Sequence, residues 1–186
     1  TLSLHDALPI LKYPEVIELT YYGAKVIHPK TIKPLYEKDI PLYVKSFNDP
    51  GAKGTLVSSN DSQSMGIPFI INKEKQVLIS ISNKDLSFFS EINVSDLFGM
   101  LNEFRLKANL MQHSAISFSV CVDTPMGREV TDLIAALRKT FKVLYNDGLQ
   151  LITIRNYSDD VIERFTKGKK VLVEQRSRHT VQFVLE

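Results

Sequence analysis

A lysine stands in the segment Tyr22-Gly23-Ala24-Lys25-Val26-Ile27-His28-Pro29, at the end of what reads as an amphipathic helix. Taken alone, such a lysine reads as a solvated surface residue. A fixed ammonium is nevertheless suited to one task, offsetting the negative charge that spreads over phosphoryl oxygens during transfer. His28, three residues on, fits a structural role, fixing the turn with Pro29. The cluster Lys167-Gly168-Lys169-Lys170 could face a phosphate, but it reads more simply as a solvated turn. The four histidines lie far apart, with no carboxylate or cysteine at ligand spacing, so no metal site is expected. Cys121 is the one cysteine, which excludes a disulfide framework. Alternation in Phe118-Ser119-Val120-Cys121-Val122 places it on one face of a strand as a small packed side chain.

The elements that must position these residues follow from pattern. The 186 residues carry a net charge of +2, spread along the chain, which leaves no electrostatic footprint for nucleic acid or an anionic membrane. No apolar run approaches the roughly 18–20 residues needed to span a bilayer, and a reducing cytoplasm is the expected location. Pro14 suits a first helical turn, with Val16, Ile17 and Leu19 as its apolar face. Thr31, Ile32, Leu35 and Tyr36 give a second short helix, and Pro41 to Lys45 a short strand. Asn48 to Gly54 is a turn cluster, in which Gly54 and Thr55 serve the turn geometry. Residues 58–67 read as a linker.

Beyond the linker the chain becomes regular. Gln76 to Asn83 is a β-branched strand. Asn93 is expected to cap a helix whose stripe is Val94, Leu97, Phe98, Leu101 and Phe104. Ala108 to Val122 alternates as one or two strands, Val130, Leu133, Ile134 and Leu137 mark another helix, and Phe141 to Tyr145 is strand-like. The order β-α-β-β-α-β is the ferredoxin-like arrangement. It is followed by a partial repeat. Leu78-Ile79-Ser80-Ile81-Ser82-Asn83 matches Leu151-Ile152-Thr153-Ile154-Arg155-Asn156, and Gln112-His113-Ser114 matches Gln175-Arg176-Ser177. Asp159 and Asp160 suit the first turn of the second copy's helix.

Three ordered blocks carry a family resemblance: the Gly-Ala-Lys-Val segment with His28-Pro29, then Ile40-Pro41-Leu42-Tyr43-Val44, then the polar turn ending in Gly54-Thr55-Leu56. Together they resemble the end of the kinase domain of aspartate kinase, and the remainder resembles the tandem regulatory ACT domains that follow it. The resemblance covers residues 13–186 and implies an α+β fold. Two ferredoxin-like ACT units follow the C-terminal remnant of an α/β amino-acid kinase domain. The expected organisation is a non-native leader at 1–10, the kinase end at 11–60, a linker at 61–72, a first ACT domain at 73–147 and a second, abbreviated one at 148–186.

The resemblance also implies roles. Lys25 and the backbone at Val26 would contact ATP, which brings magnesium as its own complex. The other parts of the family's catalytic domain lie upstream of these residues, so this piece is expected to be inactive by itself. In the intact enzyme the reaction would be ATP + L-aspartate to ADP + 4-phospho-L-aspartate. An effector amino acid, lysine or threonine, would sit against the loop Ser87 to Val94 and the start of the next strand. Such a ligand needs acceptors for its ammonium and donors for its carboxylate. Ser90, Asn93, Val94, Asn109 and Ser114 are the expected contacts, with Asn109 as acceptor and the helix-start N–H groups as donors. Lysine-inhibited relatives tend to carry aspartate at the position of Asn109 and glycine at that of Ile92. Unpaired sheet edges imply a homodimer through the ACT units. Two alternatives stay open: a stand-alone amino-acid-binding ACT module, and a parent fused to homoserine dehydrogenase.

Overall fold

The computed structural model describes residues 10–24, 27–51, 54–59, 68–124 and 128–186. Contacts divide these into two compact units. One holds the described residues up to Asn72 with Thr153–Phe165 and Arg176–Val181; the other holds Lys73–Ile152, Thr166–Gln175 and Gln182–Glu186.

In the first unit β1 (Leu11–Lys12), α1 (Tyr13–Tyr21), α2 (Pro29–Glu37), β2 (Leu42–Val44) and β3 (Thr55–Ser58) follow in order, and the strands form a small sheet β1-β3-β2. Pro14 sits in the first turn of α1, and the Glu15 carboxylate accepts the Lys12 N–H at 2.9 Å, which closes the helix start. Tyr13, Val16, Ile32 and Val57 pack together. Leu19 turns toward Phe69 and Ile71 instead. Gly54 has φ +69°, and a Cβ there would meet the Val44 carbonyl oxygen at 2.5 Å, so glycine is required by the turn as expected.

A six-stranded sheet follows, in the order β5-β6-β4-β7-β9-β8. Its strands are β4 (Phe69–Ser82), β5 (Ala108–His113), β6 (Ser117–Asp123), β7 (Lys142–Arg155), β8 (Val171–Arg176) and β9 (Thr180–Leu185). Helices α3 (Glu91–Glu103), α4 (Arg128–Thr140) and α5 (Asp159–Thr166) complete the chain. The segment expected as one or two strands is thus two, β5 and β6, joined antiparallel. The order β5-β6-β4-β7 is the ferredoxin-like sheet of the first copy, and β8-β9-β7 supplies the same positions for the second. Strand β7 serves both. It runs through the expected boundary at 147/148, and Phe69 to Asn72, expected as linker, begin β4.

Both faces of the shared sheet are covered. Val77, Ile79 and Ile81 of β4 and Phe118, Val120 and Val122 of β6 pack with Leu97, Leu101, Leu133 and Leu137 of the two helices. Leu78 and Cys121, one residue out of phase, join Leu110, Leu149, Leu151 and Val173 on the opposite face. On β7 the odd-numbered Val143 lies on the helix side, whereas Leu149 and Leu151 lie on the other. With a side-chain period of two, that change needs an irregularity between them. Gly148, at φ +68°, lies between them.

Candidate functional site

The corner where β4 runs into α3 holds an open polar cleft of about 440 Å³, lined by Asn83, Lys84, Asp85, Ser87, Ser90 and Asn93 among others, with the Lys84 ammonium turned to the Lys139 carbonyl at 2.8 Å. The helix is capped by Ser90, three residues before the expected Asn93. Ser90 Oγ accepts the Asn93 N–H at 3.5 Å, and Asn93 Oδ1 accepts the Ser90 N–H and hydroxyl, both at 2.9 Å. The two form a reciprocal capping box, Ser90 as cap and Asn93 as its third helical residue. The Val94 N–H donates to the Ser90 carbonyl at 3.1 Å as the first intrahelical bond. The expected pair of helix-start donors, Asn93 N–H and Val94 N–H, is therefore taken up internally.

One residue that sequence reasoning passed over organises this corner. Asn83 Nδ2 donates to the Phe88 carbonyl at 2.9 Å and to Ser87 Oγ at 3.0 Å, with Asn93 Oδ1 at 3.5 Å. Its signal lay in the repeat, which ends at Asn83 and Asn156. Asp85, also missed, accepts the Ser87 hydroxyl at 2.6 Å and N–H at 3.1 Å. The Ser87 hydroxyl, followed by its N–H, holds the Asp85 carboxyl below its ordinary value, so a negative charge stands at the rim at neutral pH. A carboxylate, hydroxyls and carbonyls around a small polar cleft are suited to holding an ammonium.

The remaining expected contacts divide. Ser114 closes the β5–β6 hairpin, its Oγ 2.7 Å from Ser117 Oγ. That hairpin reaches the corner through the Phe89 N–H, which donates to the Ala115 carbonyl at 2.9 Å. Asn109 is elsewhere. The β5–β6 register slips between Ala108 and Leu110, making Asn109 the extra residue of a bulge at the far end of β5. At about 3.3 Å per residue it is roughly 13 Å along the strand from His113, whose Nε2 is 2.9 Å from the Phe89 carbonyl. Asn109 Nδ2 donates to Gln76 Oε1 and its Oδ1 accepts from Lys73 Nζ, both at 2.9 Å. Gln76 Nε2 in turn donates to Asp123 Oδ1 at 2.8 Å. Burial raises the Asp123 carboxyl pKa, but the Gln76 amide, the Lys73 ammonium and Asn109 outweigh it and leave it below its ordinary value. Burial beside this charge pushes the Cys121 thiol up to about 12. The structure thus gathers Ser90, Asn93, Val94 and the Ser114 hairpin, and gives Asn109 a separate network.

Lys25 and Val26 lie outside the described residues, as does the start of the leader. On either side of them the Ala24 N–H donates to the Leu19 carbonyl at 2.9 Å, and His28 Nδ1 accepts the Lys30 N–H at 3.2 Å. His28 is the N-cap of α2, a structural role. Among the described residues no cluster of His, Cys, Asp and Glu could hold a metal, and no helix is long and apolar enough to cross a membrane.

The fold defines a class, a tandem ferredoxin-like arrangement of the ACT type. No family model matches the chain. It is 31% identical over 120 residues to a bifunctional aspartokinase/homoserine dehydrogenase of Haemophilus influenzae, covering 64% of this chain and 15% of that protein. It is 26% identical over 167 residues to the lysine-sensitive aspartokinase 3 of Escherichia coli, covering 87% and 36%. An aspartate kinase structure from Clostridium acetobutylicum superposes with a TM-score of 0.80 at 19% identity, over 100% of this chain and 46% of that one. The E. coli aspartokinase III structure with lysine and aspartate superposes at 0.74 with 22% identity, over 96% and 43%. The relatives it matches are aspartokinases, alone or as bifunctional aspartokinase/homoserine dehydrogenases. The chain spans less than half the length of each of these relatives.

Proposed function

We propose that the chain is the regulatory end of an aspartate kinase. The whole enzyme would transfer a phosphoryl group from ATP to the side-chain carboxylate of L-aspartate in the cytoplasm, the first step toward lysine, threonine and methionine. Residues 11–60 are then the kinase end, with Lys25 and Val26 on the ATP, and residues 73–147 and 148–186 are the two ACT units, the second abbreviated. The fragment has no kinase activity of its own. Magnesium arrives with the nucleotide, and the units dimerise through their open sheet edges, β5 and β8.

One observation carries the regulatory reading: the polar cleft at the β4–α3 corner, with the Asp85 charge at its rim and the Ser90–Asn93 box at its back. We assign the effector amino acid to this corner, its ammonium toward Asp85 and Ser87. Asn109 falls outside this assignment, because its amide is committed to Lys73 and Gln76. Calorimetric titration with L-lysine and L-threonine tests the reading. One of them should bind, and Asp85→Asn, which removes the charge facing the ammonium, should weaken it by about tenfold, the scale of one hydrogen bond to a charged group. No heat with either amino acid refutes the assignment.

A further inference from the structure

The internal repeat is closest at the strand that leads into each copy's corner, where it differs at two positions: the near-equivalent Ser80 and Thr153, and the telling pair Ser82 and Arg155. Ser82 precedes Asn83 in the first copy, whereas Arg155 precedes Asn156 in the second. Ser82 pairs across the sheet with Ser117. Arg155 instead reaches an element 137 residues away in sequence: its Nη1 donates to the Glu18 carboxylate on α1 and, at 3.4 Å, to Thr180 Oγ1. The Arg155 side chain is 13% exposed and that of Glu18 is 44% exposed. Arg155 Nε is fully buried with no hydrogen-bond partner among the described residues. A guanidinium taken that far out of water depends on the Glu18 carboxylate facing it. Around this contact the Tyr22 hydroxyl hydrogen-bonds the Thr180 side chain. The Asn156 N–H donates to the His179 carbonyl at 2.7 Å, fixing the corner from behind. Leu19, one residue beyond Glu18, is buried. The contact division sets α1, this corner and the start of β9 in one compact unit.

We infer that the second copy's corner, the counterpart of the effector cleft in the first, is a docking point for helix α1, and that Arg155 is the positioning residue through which regulation reaches the kinase end. This rests on the regulatory reading above. The two copies thereby divide the work: one binds and the other transmits. The direct consequence is a separation of affinity from inhibition. Removing the clasp leaves the first corner untouched, so effector affinity survives while its effect on the kinase does not.

The test uses Arg155→Ser, which gives the second copy the residue of the first, and the charge swap Glu18→Arg with Arg155→Glu. In hydrogen exchange, amides of α1 should open about tenfold faster in the single variant, with α3 and β6 unchanged, and the swap should restore most of the protection. In the full-length enzyme, the single variant should keep L-lysine or L-threonine affinity within about twofold and uninhibited turnover near wild type, yet lose most inhibition. The swap should recover inhibition. Unchanged α1 exchange in Arg155→Ser overturns the clasp, and intact inhibition overturns its role in transmission. A wild-type full-length protein without aspartate kinase activity would refute the enzyme reading instead, and the exchange result would still decide the clasp.

Discussion

Replacing Asn83 tests the candidate site at the residue that builds it. Its amide nitrogen carries two hydrogens, and the two shortest contacts, to the Phe88 carbonyl at 2.9 Å and Ser87 Oγ at 3.0 Å, use both. The Ser87 carbonyl at 3.4 Å and Asn93 Oδ1 at 3.5 Å share the same hydrogens. Two half-exposed hydrogen bonds at roughly 0.5–1.5 kcal/mol each put the loss for Asn83→Ala at about 1–3 kcal/mol. Asn83→Asp is the sharper perturbation. It keeps size and shape but turns the donor into an oxygen facing acceptors at all four points. At neutral pH it should cost more than the alanine variant, by roughly 1 kcal/mol. Its folded-state pKa is then raised, so the part of stability it lacks returns as pH falls below about 5 and the acid form donates one bond again. Urea unfolding at pH 7 and pH 4.5 reads both effects from the midpoint, given an unchanged slope. An aspartate variant as stable as wild type at pH 7 would mean that the amide does not hold the loop.

Three further outcomes follow from other parts of the sheet. Cys121, fully buried with its thiol pushed up to about 12, should react with an aromatic disulfide at pH 8 at least about a hundredfold more slowly in the native chain than in urea; comparable rates would contradict its packing. Asp123 has a depressed folded pKa, so its stabilisation is complete above the unfolded value near 4 and is lost as pH falls through the lower folded value. Asp123→Asn should therefore be less stable at pH 7 and converge with wild type toward pH 2, whereas a constant difference across pH would count against the network. Arg105 follows α3 in the left-handed region at φ 55°, with the Leu106 N–H closing on the Leu101 carbonyl at 2.8 Å. Arg105→Gly should raise stability by about 0.5–1 kcal/mol, and a lowered urea midpoint would show that the arginine side chain outweighs the backbone strain.

Much of this architecture is legible from residue pattern. The stripes Leu97–Leu101 and Leu133–Leu137 place both helices, because a helix must bury one face and only that periodicity does so. Alternation across Phe118 to Val122 predicts that Cys121 is packed, since neighbouring strand residues face opposite sides. The repeat ending at Asn83 and Asn156 marks both corners. Pattern reports which face is buried, however, and not which distant element covers it. Tertiary structure alone made β7 a strand of both copies. It also put Asn109 at the far end of β5, about 13 Å along the strand from the corner, because strand pattern does not say which end of a strand meets which loop. And it joined Arg155 to Glu18: two charged residues far apart in the chain look solvated until the fold has removed water from between them.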